Sequence, residues 1–377
     1  MQYRTFGRLD FNPSALGFGA MRLPTIGGDQ SKVDEAEAIR MIRCAVDHGV
    51  NYVDTAYLYH QGTSEAVVGR ALLDGYRQRV RLATKLPTWT VKSIDDCDRI
   101  LNEQLTRLQT RCIDFYLFHG LNKDRWAIVR ELKLLDWAER AMARESVLHL
   151  GFSFHDRFEL FEEILGEYDN WAFCQVQYNY LDHEFQAGTR GLRLAAGKGL
   201  GVVVMEPLRG GALAKPPPQI QALWDTSERR RTPADWALQW AWNQPEVSLA
   251  LSGMSSMEQV VQNIESSEHS AVGLLTQAEL DLVARVREAY RSLRPIPCTE
   301  CRYCEPCPNR VDIPRVFQMY NDGIMLDARE RARFLYTLQS ESERAHNCAD
   351  CGECEEACPQ QIPIRDWLKQ ADAYLKQ

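Results

Sequence analysis

The stretch RLATKLPTWTVKSIDDCDRILNEQLTRLQTRCIDFYLF, residues 81–118, holds one complete structural unit. It opens on a short apolar run, Arg81–Thr84. It then passes through a proline-containing turn into an amphipathic stretch, Ser93–Leu108, and ends on a second apolar run, Asp114–Phe118. Neither run alternates apolar with polar residues, which is the mark of strands buried on both faces. The stretch between them has helical periodicity. Strand, crossover helix and strand make one β/α step of a parallel sheet.

Working outward, the same step recurs along the first 295 residues. Strands are expected at Ala15–Phe18, Tyr52–Asp54, Arg81–Thr84, Asp114–Phe118, Val147–Gly151, Phe173–Val176, Val202–Met205 and Leu249–Leu251. Helices are expected at Val33–Asp47, Ser64–Leu73, Ser93–Leu108, Arg125–Ala143, Arg157–Leu165, Thr189–Lys198, Pro233–Trp242 and Ser256–Glu265. Eight such repeats predict a closed parallel (β/α)8 TIM barrel. Met21–Gln30 reads as a loop before the first helix, and Tyr3 to Phe11, turning at Gly7, as a hairpin plugging the barrel floor. Pro216-Pro217-Pro218 is a loop signal. A further helical run, Thr276–Ser292, precedes a linker at Arg294-Pro-Ile-Pro297. Beyond it the tail has one helical pattern, about Ile313–Leu338. No repeat is expected other than the β/α period. The division is therefore a barrel over residues 1–295 and a small α-helical domain over 296–377.

Composition narrows the function. The net charge of −8 is spread along 377 residues with no basic run, which argues against nucleic-acid binding. No stretch has the apolar length of a membrane span, and MQYRTFGRLDF lacks a signal-peptide core, so a cytoplasmic location is expected.

Of the 12 cysteines, Cys44, Cys97, Cys112 and Cys174 are scattered and read as small apolar packing residues. The remaining eight form two runs in the tail. The second run, Cys348-x2-Cys351-x2-Cys354-x3-Cys358-Pro359, has the spacing of bacterial-type ferredoxins, in which three cysteines wrap one cluster and the fourth completes its partner. The first, Cys298-x2-Cys301-x2-Cys304-x2-Cys307-Pro308, is one residue shorter before its last cysteine. Three readings fit. Two 4Fe–4S clusters would be held by Cys298, Cys301, Cys304 and Cys358, and by Cys348, Cys351, Cys354 and Cys307. A single cluster would leave the first run degenerate. Structural zinc also uses paired C-x2-C units, but seldom four cysteines in one run with a trailing Cys-Pro. The two-cluster reading leads.

Four ionisable residues fall at the C-terminal ends of neighbouring barrel strands, where function gathers in this architecture. Asp54 ends the second strand, Tyr59 follows it, Lys85 ends the third and His119 ends the fourth. Each alone has an ordinary structural explanation, but together on one rim they read as a site. With Gly49-Val-Asn-Tyr-Val-Asp-Thr-Ala-Tyr-Leu-Tyr59, Ser64-Glu65 with Gly69, Ala83-Thr-Lys85 and Asp114-Phe-Tyr-Leu-Phe-His119, the sequence resembles the aldo-keto reductase superfamily over residues 1 to about 290. The tail, Gly151-Phe-Ser-Phe-His-Asp156 and Glu206-Pro-Leu-Arg-Gly-Gly211 resemble the branch carrying a ferredoxin-type domain.

That resemblance implies Tyr59 as general acid, Lys85 as the cation that makes proton donation from a phenol practical, Asp54 as the anchor of Lys85, and His119 as the residue orienting a carbonyl. It implies a nicotinamide nucleotide, with Ser153, Gln175, Met205, Leu208, Gly253, Ser255, Gln259 and Asn263 at the positions that contact it. Phe154 replaces the family's asparagine, with His155 beside it, and Met205 replaces a stacking tyrosine. Ser255 with Glu258 fits a capping box as readily as a phosphate site. Gly253 and Gln259 stand uncharged where members preferring NADP carry cations, so NAD and NADP both remain open, as does a flavin. Trp89, Trp126 and Trp224 lie in or near rim loops. The leading expectation is an oxidoreductase acting on a small carbonyl or alcohol. In that reading the clusters are an electron relay or structural. One alternative is an electron-transfer module that docks a redox protein through the tail, with a flavin to couple single electrons; another leaves the barrel to catalyse on its own, with the clusters structural or oxygen-sensing.

Overall fold

The eight apolar runs close on themselves. In a computed structural model, which describes residues 1–376, the strands are β1 (Leu16–Gly19), β2 (Tyr52–Asp54), β3 (Arg81–Leu86), β4 (Ile113–Leu121), β5 (Val147–Phe154), β6 (Phe173–Gln177), β7 (Gly201–Met205) and β8 (Leu249–Ser252). They pair in parallel and in sequence order, with β8 returning to β1. The expected strands are all present, and β3, β4 and β5 run two to three residues further toward the rim than apolarity alone suggested.

The intervening helices are α1 (Glu35–Asp47), α2 (Ser64–Ala71), α3 (Ile94–Arg107), α4 (Lys123–Glu131), α5 (Leu134–Ala143), α6 (Phe158–Glu167), α7 (Gly188–Gly197), α8 (Pro218–Trp224), α9 (Pro233–Trp242) and α10 (Met257–Glu268). Several begin where a short polar side chain accepts from the first turn: Asp34 from Glu37 N, Ser93 from Asp96 N and Asn122 from Arg125 N. The single helix expected over Arg125–Ala143 is two. Lys133 sits at φ 51° and breaks the helical path, so that Trp126 and Val129 bury on one helix and Leu134, Trp137, Ala138 and Ala141 on the next. Helix α8, which begins on the last proline of the run, was not expected.

Inside the barrel, side chains of one parity point inward. Tyr52, Ala83, Phe115, Leu117, Phe173, Val203, Leu249 and Leu251 form the buried floor. Phe6, fully buried, closes it from below, with Phe115, Phe173 and Tyr52 rings at 5.0, 5.8 and 6.2 Å. The expected plug is thus present, but as isolated bridges, Tyr3 to Ser14 and Phe6 to Leu9, rather than a regular hairpin. Gly151 has no side chain because Phe173 fills its space: a Cβ there would meet that ring at 2.5 Å.

By packing, the chain divides into one unit of residues 1–211 with 234–276 and a second of 212–233 with 277–377. The division falls before the linker at Arg294–Pro297. Helix α11 (Gln277–Ser292) packs with α8, and Arg231 pairs with Glu279 at 2.5 Å, which groups both with the tail. The long helix expected over Ile313–Leu338 is α12 (Ile313–Met325) and α13 (Arg329–Leu338), parted by Asp327 at φ 48°. Two further helices, α14 (Glu353–Glu356) and α15 (Ile364–Lys376), follow the second cysteine run. Ile313, Val316, Phe317, Tyr336, Ile364, Leu368 and Leu375 share one core.

The tail does contain a repeat, contrary to the sequence expectation. Glu300 and Arg302 flank Cys301 in left-handed conformation, and Asp350 and Gly352 flank Cys351 in the same way. Arg310, left-handed, donates its N–H to Cys307 O at 2.9 Å; Gln361 does likewise to Cys358 O at 3.1 Å. Helices α12 and α15 then begin at equivalent places after Cys307 and Cys358. The match was hidden because few side chains agree between the halves and one residue is missing before Cys307. No described helix is long and apolar enough to cross a membrane.

Candidate active site

The inward parity that builds the floor also builds the site one layer higher. Two residues after Tyr52 comes Asp54, after Ala83 comes Lys85, after Leu117 comes His119, after Phe173 comes Gln175, and after Val203 comes Met205. Lys85 is 0 % exposed and Asp54 2 %. Lys85 Nζ donates to Asp54 Oδ1 and Oδ2 at 2.6 and 2.8 Å and to Thr55 O at 2.7 Å. It lies 5.0 Å from the centre of the Tyr59 ring, and the Tyr59 and His119 rings are edge-on at 6.0 Å. The structure therefore brings together all four residues picked out at the strand ends.

Backbone geometry fixes Tyr59. His60 and Gln61 follow it at φ 51° and 53°, and the His60 imidazole is held on both sides. Its Nε2 accepts from Leu23 N at 3.0 Å and its Nδ1 bonds Gln30 O at 3.1 Å, which makes His60 neutral. Behind Lys85 lies a buried network. Glu65 accepts from Thr84 at 2.7 Å and Gln104 at 2.8 Å, Gln104 also donates to Lys85 O at 3.0 Å, and Tyr116 donates to Gln104 at 2.7 Å. Gln104 was not singled out from sequence. Its position on the inner face of α3, among Cys97, Ile100 and Leu101, is the signal that a buried amide has work there.

The electrostatics follow from this burial. Burial would pull the Lys85 ammonium down, but the Asp54 carboxylate and the Tyr59 phenol facing it hold it above its ordinary value. Burial lifts the Tyr59 phenol; Lys85 opposes that rise. His119 is driven well below its ordinary value by burial, with the nearby cations of Lys85 and Arg125 and the His155 ring adding to it, so its imidazole is neutral at neutral pH. Its Nδ1 is buried with no hydrogen-bond partner among the described residues.

The residues expected to contact a nucleotide lie on β5 to α10. Ser153 accepts from Gly120 N at 2.6 Å. Gln175 donates to Met205 Sδ at 3.6 Å, and its Oε1 is buried with no partner among the described residues. That orphaned amide oxygen beside a thioether and a serine is a polar cradle that suits a carboxamide. Leu208 is partly exposed after β7, Gly253 and Ser255 are exposed after β8, and Asn263 donates to Ser252 at 2.9 Å. The helix cap falls one residue later than expected. Ser256, not Ser255, accepts from Gln259 N, and Gln259 reaches back to Ser255 N at 2.9 Å. Glu258 is therefore not the capping partner, because the cap pairs with the residue three positions on. The Arg22 side chain runs beside Gly253, 3.3 Å from where a Cβ would stand, and brings a cation that no position on α10 supplies.

Of the three tryptophans, only Trp89 is at the rim. It is 38 % exposed, with its ring 5.2 Å from His119. Trp126 and Trp224 are core residues, because their helices turn them inward. Cys97 and Cys174 are buried as expected, whereas Cys44 and Cys112 are partly exposed.

In the tail the eight cysteines are all free thiols and line two cavities. Cys298, Cys301, Cys304 and Cys358 line one, among Ile313, Phe317 and Ile362. Cys307, Cys348, Cys351 and Cys354 line the other, with Cys304 at its edge and Arg365 on its wall. Cys304 touches both cavities, and each cavity takes cysteines from both halves of the repeat. Disulfide-free thiolate donors in two sets of four suit iron–sulfur clusters.

Comparison with known proteins agrees with the barrel fold and with the cysteine-rich tail. The Aldo/keto reductase family model matches residues 15–285, and the 4Fe-4S dicluster domain model matches residues 297–362. Aldo-keto reductase YhdN of Bacillus subtilis is 36% identical over 128 residues, which is 32% of this chain and 38% of that protein. The chain thus spans well under half the length of that relative. Probable aldo-keto reductase 1 of Glycine max is 26% identical over 297 residues, 68% of this chain and 82% of that one. The holo form of aldo-keto reductase AKR11C1 from Bacillus halodurans superposes with a TM-score of 0.64 at 28% identity, covering 76% of this chain and 96% of that chain. A closed eight-stranded barrel with four polar residues on its rim and a tail with two cysteine-lined cavities thus coincide with two matched families: the chain belongs to the aldo/keto reductase family and carries a 4Fe-4S dicluster domain.

Proposed function

We propose that the barrel transfers hydride reversibly between a nicotinamide nucleotide and a small carbonyl or alcohol substrate, with Tyr59 as general acid and base. The observation that carries this reading is the fully buried Lys85, bound by both Asp54 oxygens and facing the Tyr59 ring. A phenol of ordinary pKa near 10 is a reluctant acid at neutral pH. A fixed cation beside it stabilises the phenolate left when its proton goes to the substrate oxygen. Asp54 keeps that cation in place. His119, neutral, orients the same oxygen through a hydrogen bond without adding a competing charge. The nicotinamide supplies or accepts the hydride. Its carboxamide is assigned to Ser153 and the orphaned Gln175, its face to Met205 and Leu208, and its phosphates and adenosine to Gly253, Ser255, Gln259 and Asn263, with Arg22 as the cation at that end.

In the tail, one cluster is assigned to Cys298, Cys301, Cys304 and Cys358, the other to Cys307, Cys348, Cys351 and Cys354. Apart from Cys304, which touches both, each set lines its own cavity, and that supports the assignment. Clusters add one-electron capacity to the chain. That supports a second role, exchange of single electrons with a redox protein.

The decisive variant is Tyr59→Phe. With the anaerobically purified chain and a panel of aldehydes and ketones, it should lower kcat by about 10²–10⁴ while nucleotide affinity stays within a few-fold. Unchanged turnover with every accepted carbonyl would end the reading.

A further inference from the structure

Arg125 stands beside His119 with no ion-pair partner among the described residues. It lies in the first turn of α4, where Asn122 Oδ1 accepts from its backbone N–H at 2.9 Å. Its Nη1 donates to Gly120 O at 2.7 Å, and its guanidinium stacks 4.1 Å above the Trp89 ring. Trp89 in turn lies against His119. The register of β4 shifts between Phe118 and Leu121, and Gly120 takes φ 61° there. Only glycine leaves room for the arginine: a Cβ on Gly120 would meet Nη1 at 2.6 Å and stand 3.6 Å from the His155 ring.

Two other buried cations of the barrel each have a counter-ion. Lys85 has Asp54, and Arg209 has Asp182 at 2.7 Å. Arg125 forms no ion pair among the described residues; Asp124, its neighbour in sequence, acts on it only as a more distant charge. Burial lowers it from its ordinary value, but a guanidinium remains charged. It presents five donors in a planar fork and spends one of them on Gly120 O. A cation held flat on an aromatic ring, with most of its donors unused and no carboxylate to satisfy it, is built for a planar anion brought from outside.

We propose that Arg125, seated on Trp89, is the anion-recognition residue of the substrate pocket, so that the favoured substrates are carbonyl compounds bearing a carboxylate or phosphate. The proposal rests on reading Tyr59 and His119 as the carbonyl site, since Arg125 adjoins the His119 side of it. The nucleotide is assigned to β5–α10, so the anion that Arg125 meets belongs to the substrate.

The test pairs charged and neutral probes on the full, cluster-loaded chain. Succinic semialdehyde is compared with butanal, and glyceraldehyde 3-phosphate with glyceraldehyde, in wild type, Arg125→Leu and Arg125→Lys. The charged member of at least one pair should be preferred in kcat/KM. Arg125→Leu should cut that preference about 30-fold, and Arg125→Lys should keep part of it. Which pair responds tells carboxylate from phosphate. Calorimetry with succinate and with glycerol 3-phosphate reads the subsite without turnover, and one of them should bind at least 10-fold more weakly to Arg125→Leu. Equal binding of both anions to wild type and Arg125→Leu overturns the proposal, as does carbonyl reduction that depends on Tyr59 but shows no charge preference. Arg125-dependent anion binding with no carbonyl turned over leaves the subsite standing and removes the reductase reading instead.

Discussion

In the proposed reaction Lys85 is the residue on which the barrel chemistry turns, because its charge is buried and answered by a single carboxylate. Lys85→Met removes the cation and leaves Asp54 buried without one, which should cost about 3–5 kcal/mol of stability in denaturant titrations. Adding Asp54→Asn should recover much of that loss while turnover stays absent, which separates the stabilising role from the chemical one. A second residue-scale expectation concerns histidines. Burial holds His119, His60 and His149 below their ordinary value. In the unfolded chain they take up protons below about pH 6.5, so the unfolded state binds more protons there than the folded one. Their contribution to stability is complete above that pH and is lost as pH falls below it. His119→Gln should flatten the fall of Tm between pH 6.5 and pH 5; an unchanged slope would contradict the assignment. Asp54, Lys85 and His119, near the rim ends of their strands, and Tyr59, five residues after β2, could be singled out as candidates because each lies in a recognisable stretch. Arg125 and Gln104 could not: their partners are brought close only by the bulge in β4 and by the inner face of α3.

At the scale of elements, the barrel reads easily and its interruptions do not. Parallel strands buried on both faces announce themselves by apolar runs, and every one was found. Helix breaks at Lys133 and Asp327 were missed because a left-handed lysine or aspartate does not disturb helical periodicity in the sequence. Helix α15 carries Ile364, Leu368, Ala371 and Leu375 at helical spacing, a signal that was present. The opening segment earns its place through one ring. Phe6→Ala should lower stability by about 3–5 kcal/mol, since Tyr52, Phe115 and Phe173 cannot close the void it leaves. Well below the melting transition, KM should stay within about two-fold of wild type, because the floor lies a full layer of side chains beneath Asp54 and Lys85.

At the scale of the molecule, the cysteine spacing gave the cluster domain, while the shortened first run hid its duplication. Anaerobic preparations should contain about eight iron and eight sulfide per chain. Cys351→Ala should remove the signal of one cluster and leave the other visible by EPR. Loss of both signals together, or of neither, would argue against the assignment of two independent sets. Neither half of the duplicated tail lines a cavity with its own sulfurs alone: Cys358 reaches back to the first set and Cys307 forward to the second. Clusters bound by these two proposed sets would clasp the two halves together. Iron supply becomes a closure for this part of the chain, so starvation for iron should expose it to proteases as one piece, and reconstitution should protect it in a single step.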